Sequence, residues 1–558
     1  QAILAQAELS WPKVFNCLFK FKGSCEAMPI HLSQYANVPV DTGMTLTQYV
    51  FKDVAGRGDA TAFVDGPTGK AVSFAELWRV VQGTARGLQQ RGLKKGDTVA
   101  VWMPNSIDYV VIFHATIAGG GIVTTLNPAY VSSEVAHQLD NAGAVYLVTT
   151  PAFLPKVEEA RRTYKSLREV FVASPGAEGG LPTLSSLDVG GVPEAVPFDP
   201  VRDVCVLPYS SGTTGLPKGT MLTHTNIVCN LQQCRCPGVL GDADAFGPGD
   251  TLLAVLPFYH IYGMVVILNL GISCGARVVT MPGFDPPAYL KNLEAYDVTV
   301  AHIAPPLAQF LAKSPTVRAQ SFPKLREFFC GAAPLGPELT AELQARFSGI
   351  TVRQGYGMTE LSPVSHADRF RDPTPGSVGY LLPNLEAKIV DSDTGKEMPA
   401  GTEVDRGELW LRGANVMKGY HRNEEATRGC VDADGFLHTG DICYVDPEGR
   451  YYIVDRLKEL IKAKGFQVAP AELEALLLKH PEVNDAAVIG APAEKYGGRE
   501  ADGEVPKAFV VLQPSAKITA AALAAWVAPQ VSPYKRFTEA TIDFVPSVPK
   551  SPSGKILR

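Results

Sequence analysis

The sequence predicts an α/β protein with a large N-terminal domain and a smaller α+β C-terminal domain. Short apolar runs alternate with helix-like runs from residue 46 to about residue 207, a pattern typical of mainly parallel sheets. The chain has 558 residues, which is more than one domain usually contains. A polar break at residues 455–458 separates this pattern from about a hundred residues with strands and helices of their own.

Helix caps and apolar runs predict the individual elements. Ser73 begins a predicted helix that runs to Leu88, with Glu76 three residues on as in a capping box. Pro470 stands at the first turn of another, over 471–479. The other predicted elements are helices over 106–118, 132–142 and 520–528 and strands over 98–102, 122–124, 144–148, 251–256, 451–454, 486–489 and 508–512.

Composition excludes several functional classes. A net charge of -6 gives no basic footprint for nucleic acid. Of ten cysteines, only Cys234 and Cys236 form a close pair, so a zinc site is not expected. A disulfide framework is not expected at this length either, which favours a reducing compartment. The most apolar stretch, residues 109–123, contains His114 and three glycines and predicts no transmembrane helix.

The segment Tyr209–Gly219 predicts a polyphosphate-binding loop. It holds two serines, two threonines, three glycines and one lysine. Hydroxyls, one ammonium and close backbone N–H groups suit phosphate oxygens. It is not the Walker pattern, because Pro217 stands where a Gly-Lys pair would be required. Taken alone, such a segment could also be an ordinary surface loop.

Three further segments carry chemical groups. Residues 354–360 offer a tyrosine ring, a threonine hydroxyl and the Glu360 carboxylate, which is a suitable ligand for Mg²⁺. Residues 257–263 place His260 and two tyrosines at the carboxyl end of a predicted strand, where open α/β sheets bind ligands. Residues 549–558 form a proline- and glycine-containing loop that presents Lys555.

Together these segments resemble the adenylate-forming acyl-CoA synthetases, the superfamily of 4-coumarate:CoA ligases, fatty acyl-CoA synthetases and beetle luciferases. The likeness extends from about Thr45 to Arg558 and is greatest to the 4-coumarate:CoA ligases. It implies an acid–thiol ligase that uses ATP, CoA and Mg²⁺, first forming an acyl-adenylate and then a thioester. It also implies a small β-barrel-like part in the large domain. The implied divisions are an N-terminal extension at 1–40, an ATP- and acid-binding domain at 41–454, a hinge at 455–458 and a mobile lid domain at 459–558.

The resemblance assigns a role to each matching position of this sequence. The implied catalytic residues are Lys555, Lys462, Gln467 and His260. The implied ATP- and AMP-binding residues are Ser210, Ser211, Gly212, Thr213, Thr214, Lys218, Ala332, Gln354, Gly355, Tyr356, Thr359, Asp441, Arg456 and Lys458. The implied acid pocket comprises Tyr262, Gly331, Gly357, Pro363 and Val364, the CoA-binding residues are Lys464 and Gly465, and the metal ligand is Glu360.

Several positions depart from the hydroxycinnamate-activating pattern. Gly263 replaces an alanine, Leu361-Ser362 stands where plant enzymes usually have Ala-Gly, Val266 replaces a small polar residue, and Gly283 replaces a lysine often found near CoA. These departures predict a more apolar pocket. The alternatives are therefore a medium- or long-chain fatty acid, a jasmonate-precursor-like acid, or a luciferase-like activity. A catalytically silent nucleotide-binding protein and a stand-alone amino-acid adenylation module are further alternatives.

We expect small-molecule partners, no nucleic acid, and a monomer or weak dimer. The expected location is the cytoplasm. A peroxisomal location stays open, because a C-terminal address would lie beyond Arg558.

Overall fold

The computed structural model describes residues 30–210, 217–241, 246–464, 466–551 and 555–557. Its α-helices are α1 (Leu46–Phe51), α2 (Val54–Arg57), α3 (Phe74–Gln90), α4 (Ile107–Ala118), α5 (Ser132–Ala142), α6 (Leu154–Thr163), α7 (His224–Cys234), α8 (Leu270–Cys274), α9 (Pro286–Ala295), α10 (Pro305–Lys313), α11 (Pro337–Arg346), α12 (Glu424–Arg428), α13 (Pro470–Leu478) and α14 (Ala520–Val527). Within these ranges, none of the helices has the length and apolar character needed to span a bilayer.

The strands form four sheets. They are β1 (His31–Leu32), β2 (Thr61–Asp65), β3 (Ala71–Ser73), β4 (Thr98–Trp102), β5 (Ile122–Thr125), β6 (Ala144–Thr149), β7 (Glu169–Val172), β8 (Val204–Ser210), β9 (Lys218–Thr223), β10 (Thr251–Ala254), β11 (Arg277–Thr280), β12 (Val300–Ile303), β13 (Glu327–Cys330), β14 (Thr351–Gly357), β15 (Val364–Ala367), β16 (Gly379–Leu381), β17 (Glu386–Val390), β18 (Gly407–Arg412), β19 (Gly419–Tyr420), β20 (Leu437–Val445), β21 (Arg450–Arg456), β22 (Ile461–Ala463), β23 (Phe466–Val468), β24 (Val483–Pro492), β25 (Glu504–Leu512) and β26 (Ile542–Phe544).

Local signals explain where the predicted helices begin. The Ser73 side chain accepts a hydrogen bond from the Glu76 N–H at 3.1 Å at the start of α3. Ser106 accepts one from the Tyr109 N–H at 3.1 Å at the start of α4. A side-chain oxygen at the N-cap satisfies an N–H group that has no partner within the helix. These predicted helix starts are confirmed.

The large domain contains two sheets. The seven-stranded sheet has the order β19-β9-β8-β5-β4-β6-β7, and β8, β5, β4, β6 and β7 are parallel. The larger sheet has the order β1-β17-β18-β20-β21-β16-β15-β14-β13-β12-β10-β11-β2-β3. Its strands β14, β13, β12, β10, β11 and β2 are parallel, whereas β15 to β18, β20 and β21 pair antiparallel. The α/β fold class is confirmed. The part expected to resemble a barrel corresponds to the antiparallel strands, which continue the parallel sheet.

The last hundred residues pack around a separate core. One buried apolar cluster extends from Leu46 to Tyr451, and another from Ile461 to Ile542. The second core lies between α13, α14 and the sheet β24-β25-β26. At the junction, the Asp455 carboxylate accepts a hydrogen bond from the Ala471 N–H at 2.9 Å, in the first turn of α13. At this junction the C-terminal unit is thus joined to the large domain by this hydrogen bond as well as by the continuous backbone.

Candidate active site

A serine and a lysine flank the predicted phosphate loop. Ser210 and Lys218 are partners in the antiparallel ladder of β8 and β9. Ser210 Oγ donates a hydrogen bond to Glu360 Oε1 at 3.0 Å, and Tyr420 OH donates to the same oxygen at 2.8 Å. Lys218 Nζ lies 4.6 Å from the centre of the Tyr420 ring. These four side chains form one polar cluster around a carboxylate.

Some of the predicted site lies outside the described residues. These positions are Ser211, Gly212, Thr213 and Thr214 of the phosphate loop and Gly465 of the small domain.

The Glu360 carboxylate has the properties of a ligand for a hard cation. It is 5% exposed and lies in a short 3-10 turn, Thr359–Leu361, just beyond β14. Two donors use Oε1, and a carboxylate offers about four lone-pair sites, so acceptor capacity is left over. Mg²⁺ prefers oxygen ligands of this type and is usually bound by one or two carboxylates together with substrate phosphates. The residues present therefore fit Mg²⁺.

A second segment holds the turn that carries Glu360. Asn415 Nδ2 donates to the Leu361 carbonyl at 2.8 Å, and Ser362 Oγ donates to the Asn415 carbonyl at 2.9 Å. Leu361 and Ser362 are fully buried. Ser362 has φ of +69°, a conformation that glycine adopts more easily. The departure at these two positions, interpreted from the sequence as pocket lining, therefore has a structural explanation in this turn.

Sequence reasoning missed Tyr420. It stands on the two-residue strand β19, which pairs with β9 and so lies beside the phosphate loop. Its 60-residue separation from Glu360 leaves no periodic signal that would connect the two. A glycine–tyrosine pair is the only local feature.

Asp441 is the centre of a second polar cluster. It is 6% exposed, accepts a hydrogen bond from Tyr356 OH at 2.5 Å, and pairs with Arg456 at 3.5 Å. Burial raises the pKa of the Asp441 carboxyl, while Arg456, the Tyr356 hydrogen bond and the charge of Lys555 act to lower that pKa. A buried carboxylate with remaining acceptor capacity suits a ribose diol.

Lys555 reaches the large domain from a turn near the end of the chain. The Ser551 N–H donates to the Lys555 carbonyl at 2.7 Å, and the Lys555 N–H donates to Ser551 Oγ at 3.0 Å. Lys550 anchors this turn by an ion pair of 2.7 Å to Asp485 on β24. The charge of Lys555, a residue of the small domain, thus acts to lower the pKa of the Asp441 carboxyl in the large domain.

The loop after β13 is held by Gln354. Gln354 Oε1 accepts from the Leu335 N–H at 2.7 Å, and Nε2 donates to the Leu335 carbonyl at 3.0 Å. Its amide therefore fixes the loop that contains Ala332, a residue with φ of +73°. At the neighbouring Gly355, an added Cβ would lie 2.6 Å from Phe329 Cζ. Gln354 therefore holds the loop after β13 by hydrogen bonds, and Gly355 allows β14 to pack closely against Phe329.

Tyr262, predicted to belong to the acid pocket, is buried next to the loop after β13. It is 8% exposed, and its hydroxyl donates to the Phe329 carbonyl at 3.1 Å. Gly331 lies against the ring, since an added Cβ would approach the ring to 2.9 Å. The Tyr262 N–H lies 3.4 Å from His260 Nδ1. Burial lowers the pKa of His260 to about 4, so the imidazole is neutral at pH 7.

Three further residues predicted for the acid pocket lie between the end of β14 and the start of β15. At Gly357 an added Cβ would lie 2.2 Å from the Pro363 carbonyl oxygen, so the two segments approach closely only with glycine there. Val364 is 5% exposed, and its carbonyl accepts from Asn230 Nδ2 at 2.6 Å. Gly357, Pro363 and Val364 are thus brought together.

Packing also accounts for two further departures. At Gly263 an added Cβ would lie 2.3 Å from the Pro257 carbonyl oxygen. Gly263 begins a π-helix, Gly263–Asn269, that sequence periodicity did not predict, and Val266 is fully buried within it. Around Gly283, by contrast, no described atom lies within 4 Å of an added Cβ.

The remaining small-domain residues lie on the hairpin of β22 and β23. Lys462 and Gln467 are paired across it, and the side chains of Lys462 and Lys464 are exposed. Gln467 contacts the large domain through Arg406 Nη2, at 3.1 Å from its carbonyl, and Asp393 Oδ2, at 3.4 Å from its side-chain nitrogen. The hinge residue Lys458 is exposed. Thus Lys555 is near Asp441, whereas the hairpin contacts another part of the large domain.

Comparisons with known proteins agree with this arrangement. Residues 50–421 match the family model described as AMP-binding enzyme, and residues 472–555 match that of the AMP-binding enzyme C-terminal domain. The chain is 40% identical to 4-coumarate--CoA ligase 5 of Oryza sativa subsp. japonica, over 96% of this chain and 97% of that protein. It is 39% identical to probable 4-coumarate--CoA ligase 1 of Dictyostelium discoideum, over 94% and 96% of the two chains.

Solved structures of similar proteins include nucleotide-bound forms. The ATP-bound MatB of Rhodopseudomonas palustris matches with a TM-score of 0.80 and 30% identity, over 92% of this chain and 97% of that one. The anthranilate CoA ligase AuaEII in complex with anthranoyl-AMP matches with a TM-score of 0.83 and 26% identity, over 93% and 96% of the chains.

Proposed function

Since the chain belongs to the family of AMP-binding enzymes, we propose that it is an AMP-forming carboxylic acid:CoA ligase whose preferred acid is 4-coumarate or a related hydroxycinnamate. The observation that carries the proposal is the buried cluster of Tyr356, Asp441 and Arg456, on whose carboxylate the charge of Lys555 from the small domain also acts. The co-substrates are ATP and CoA.

In the first step, a carboxylate oxygen of the acid attacks the α-phosphorus of ATP. A phosphorus–oxygen bond to the acid forms, the bond to pyrophosphate breaks, and an acyl-adenylate results. Because an anion attacks a polyanion, positive and dipolar groups must be positioned beforehand. Lys218, Ser210 and Thr359 bind phosphate oxygens, and Lys555 binds both the carboxylate and the α-phosphate. Glu360 would hold Mg²⁺, which would supply positive charge to neutralise the phosphates.

In the second step, the CoA sulfur attacks the acyl carbon. The thiol loses its proton, the carbon–oxygen bond to AMP breaks, and AMP leaves with the electron pair. Lys555 then has to leave the site, and the exposed Lys462, Lys464 and Gln467 have to enter it. A rotation about Lys458 between the unit 41–454 and the unit 459–558 supplies both changes, and we assign residues 455–458 as its hinge.

The pocket geometry supports an aromatic acid. The flat wall formed by Tyr262 faces small residues, among them Gly331. The buried position of Leu361 and Ser362 removes one argument for a fatty acid, because their contacts belong to the turn at Asn415. An aromatic ring gains burial and favourable ring contacts beside Tyr262.

The deciding experiment measures CoA thioesters by mass spectrometry. The purified protein is incubated with MgATP, CoA and equal amounts of cinnamic acids and C8 to C18 fatty acids. We expect 4-coumaroyl- or caffeoyl-CoA to dominate. Predominance of a fatty acyl-CoA contradicts the substrate class but leaves the ligase activity standing. No thioester and no adenylate from any acid contradicts the ligase itself and favours a silent nucleotide-binding protein.

Replacement of the metal ligand tests the nucleotide site. Glu360→Gln retains an oxygen for the hydrogen bonds from Ser210 and Tyr420 but loses the negative charge. We expect acid-dependent pyrophosphate exchange to fall roughly 10²- to 10³-fold, the typical effect of losing one electrostatic contact, and to need more Mg²⁺. The matched control, Glu386→Gln, removes a carboxylate from a partly exposed pair with Arg412 and should leave exchange unchanged. An unchanged Mg²⁺ requirement in Glu360→Gln contradicts the assignment.

We further propose a monomer or weak dimer in the cytoplasm. The buried Cys205 and Cys330 are thiols and not members of disulfides, which suits a reducing compartment. Sedimentation velocity and localisation of the full-length tagged protein test these two points.

A further inference from the structure

The hydroxyl of Tyr262 is held by two groups at its buried end. It lies 3.1 Å from the Phe329 carbonyl oxygen and 3.1 Å from His302 Nδ1. A carbonyl oxygen only accepts, so the single hydroxyl proton points to Phe329. The oxygen of Tyr262 then accepts a hydrogen bond from His302, which requires the proton of the imidazole to be on Nδ1.

This hydrogen-bond pattern leaves the lone pair of His302 on Nε2. Burial, with the neighbouring Arg353 charge, lowers the pKa of His302 to about 3, so the ring is neutral at pH 7. His302 is 1% exposed, and among the described residues its Nε2 has no hydrogen-bond partner. A buried acceptor without a donor is destabilising, and such an atom in a native structure calls for an occupant.

Within the described part of the chain, three aromatic rings pack around the imidazole of His302. The rings of Phe246, Tyr262 and Phe329 meet the imidazole at steep angles, with centroids 5.7–5.9 Å away. Arg353 Nη2 and Glu327 Oε2, in the adjoining part of the sheet, are also buried without a described partner. A buried water is therefore the competing occupant of this region.

His302 contacts the hydroxyl end of Tyr262, a residue predicted to belong to the acid pocket. The Tyr262 ring extends from its main-chain N–H, next to His260, to its hydroxyl, next to His302. Nε2 is separated from Nδ1 by one ring carbon and therefore lies at this same end. An aromatic acid alongside Tyr262, with its carboxylate towards Lys555, directs its para substituent to this end.

We propose that His302 Nε2 accepts a hydrogen bond from a hydroxyl group at the far end of the acid, and so determines selectivity for para-hydroxylated aromatic acids. The inference rests on the proposed ligase function and names a residue that sequence reasoning did not single out. His302 binds the substrate group and takes no part in the reacting bonds.

The test compares 4-hydroxycinnamate, 4-methoxycinnamate and unsubstituted cinnamate in the full chain. We expect the wild type to favour 4-hydroxycinnamate over the other two by roughly 10- to 100-fold in kcat/KM, because the analogues leave Nε2 without a donor. His302→Asn keeps a polar group near Nδ1 but none near Nε2, whereas His302→Gln keeps one near Nε2. We expect the asparagine variant to lose the preference and the glutamine variant to retain part of it.

Activity with unsubstituted cinnamate serves as the internal control. The preference of each protein is expressed relative to this activity, and direct binding of the three acids, measured by calorimetry, should follow the same order. If the wild type and both variants prefer 4-hydroxycinnamate equally, Nε2 binds a buried water and the inference is overturned. A wild type that does not prefer 4-hydroxycinnamate over the two analogues also overturns it. If no cinnamic acid forms a thioester, the proposed substrate class fails together with it.

Discussion

Lys555→Ala is expected to lower the rate of acyl-adenylate formation by roughly 10²- to 10³-fold, the usual consequence of removing one positioned electrostatic contact. The charge of Lys555 acts at Asp441 in the conformation described, which places it on the nucleotide side of the site. Alanine removes the charge but keeps the hydrogen bonds that the main chain of residue 555 makes to the Ser551 N–H and to Ser551 Oγ. Acid-dependent exchange of labelled pyrophosphate into ATP measures this step.

The same variant is expected to convert a supplied acyl-adenylate and CoA to the thioester at nearly the wild-type rate. Lys555 has to leave the acyl carbon before the thiol can reach it, so its charge is not needed in the second step. A matched control is Lys550→Ala, which breaks the ion pair to Asp485 and displaces the turn without removing the catalytic charge. It should weaken adenylation less than Lys555→Ala. Equal loss of both half-reactions in Lys555→Ala contradicts its assignment.

Lys458→Pro is expected to impair thioester formation more than adenylation. Lys458 lies in the turn closed by the hydrogen bond from the Glu459 N–H to the Arg456 carbonyl, at 2.9 Å. Proline fixes φ of residue 458 and restricts residue 457, so it resists the backbone change that a rotation requires. We expect a loss of roughly tenfold or more in the second step, since about 1.4 kcal/mol of strain corresponds to a factor of ten.

Lys458→Ala provides the comparison for the hinge. It removes the same charge but leaves the backbone free, so both half-reactions should stay close to the wild type. Adenylation in Lys458→Pro should decline several-fold at most, because the turn has to accommodate the ring. Single-turnover measurements of adenylate formation and of its consumption by CoA separate the two steps. If both steps survive in the proline variant, the hinge lies elsewhere.

The contact between Asp455 and Ala471 gives this hinge a structural counterpart. Asp455 precedes Lys458, and Ala471 lies in the first turn of the small-domain helix α13. A rotation about Lys458 changes the position of one relative to the other and so must break this hydrogen bond. The bond therefore helps to stabilise the arrangement in which Lys555 is near Asp441.

Sequence determined the elements and the chemistry of the nucleotide site. Ser73 and Ser106 begin helices because the cap and the N–H groups it satisfies are three residues apart. Ser210, Lys218 and Glu360 were predicted because each belongs to a short motif whose residue types suit phosphate or Mg²⁺, and Asp441 was predicted from the family resemblance. The boundary near residue 455 was visible because a polar break interrupts an apolar pattern.

Tertiary structure alone decided which distant groups share a site. Tyr420 meets Glu360 across 60 residues, and Tyr262 meets His302 across 40. Leu361 and Ser362, interpreted from the sequence as pocket lining, hold a turn against Asn415. Local patterns depend on the periods of helices and strands and on caps a few residues away. Contacts between distant segments depend instead on the order of the strands in the sheets and on side-chain packing. Neither of these follows from the spacing of residues along the sequence. For this reason the sequence determined the fold class and predicted the reacting groups, and only the folded chain placed a buried histidine against the hydroxyl of Tyr262.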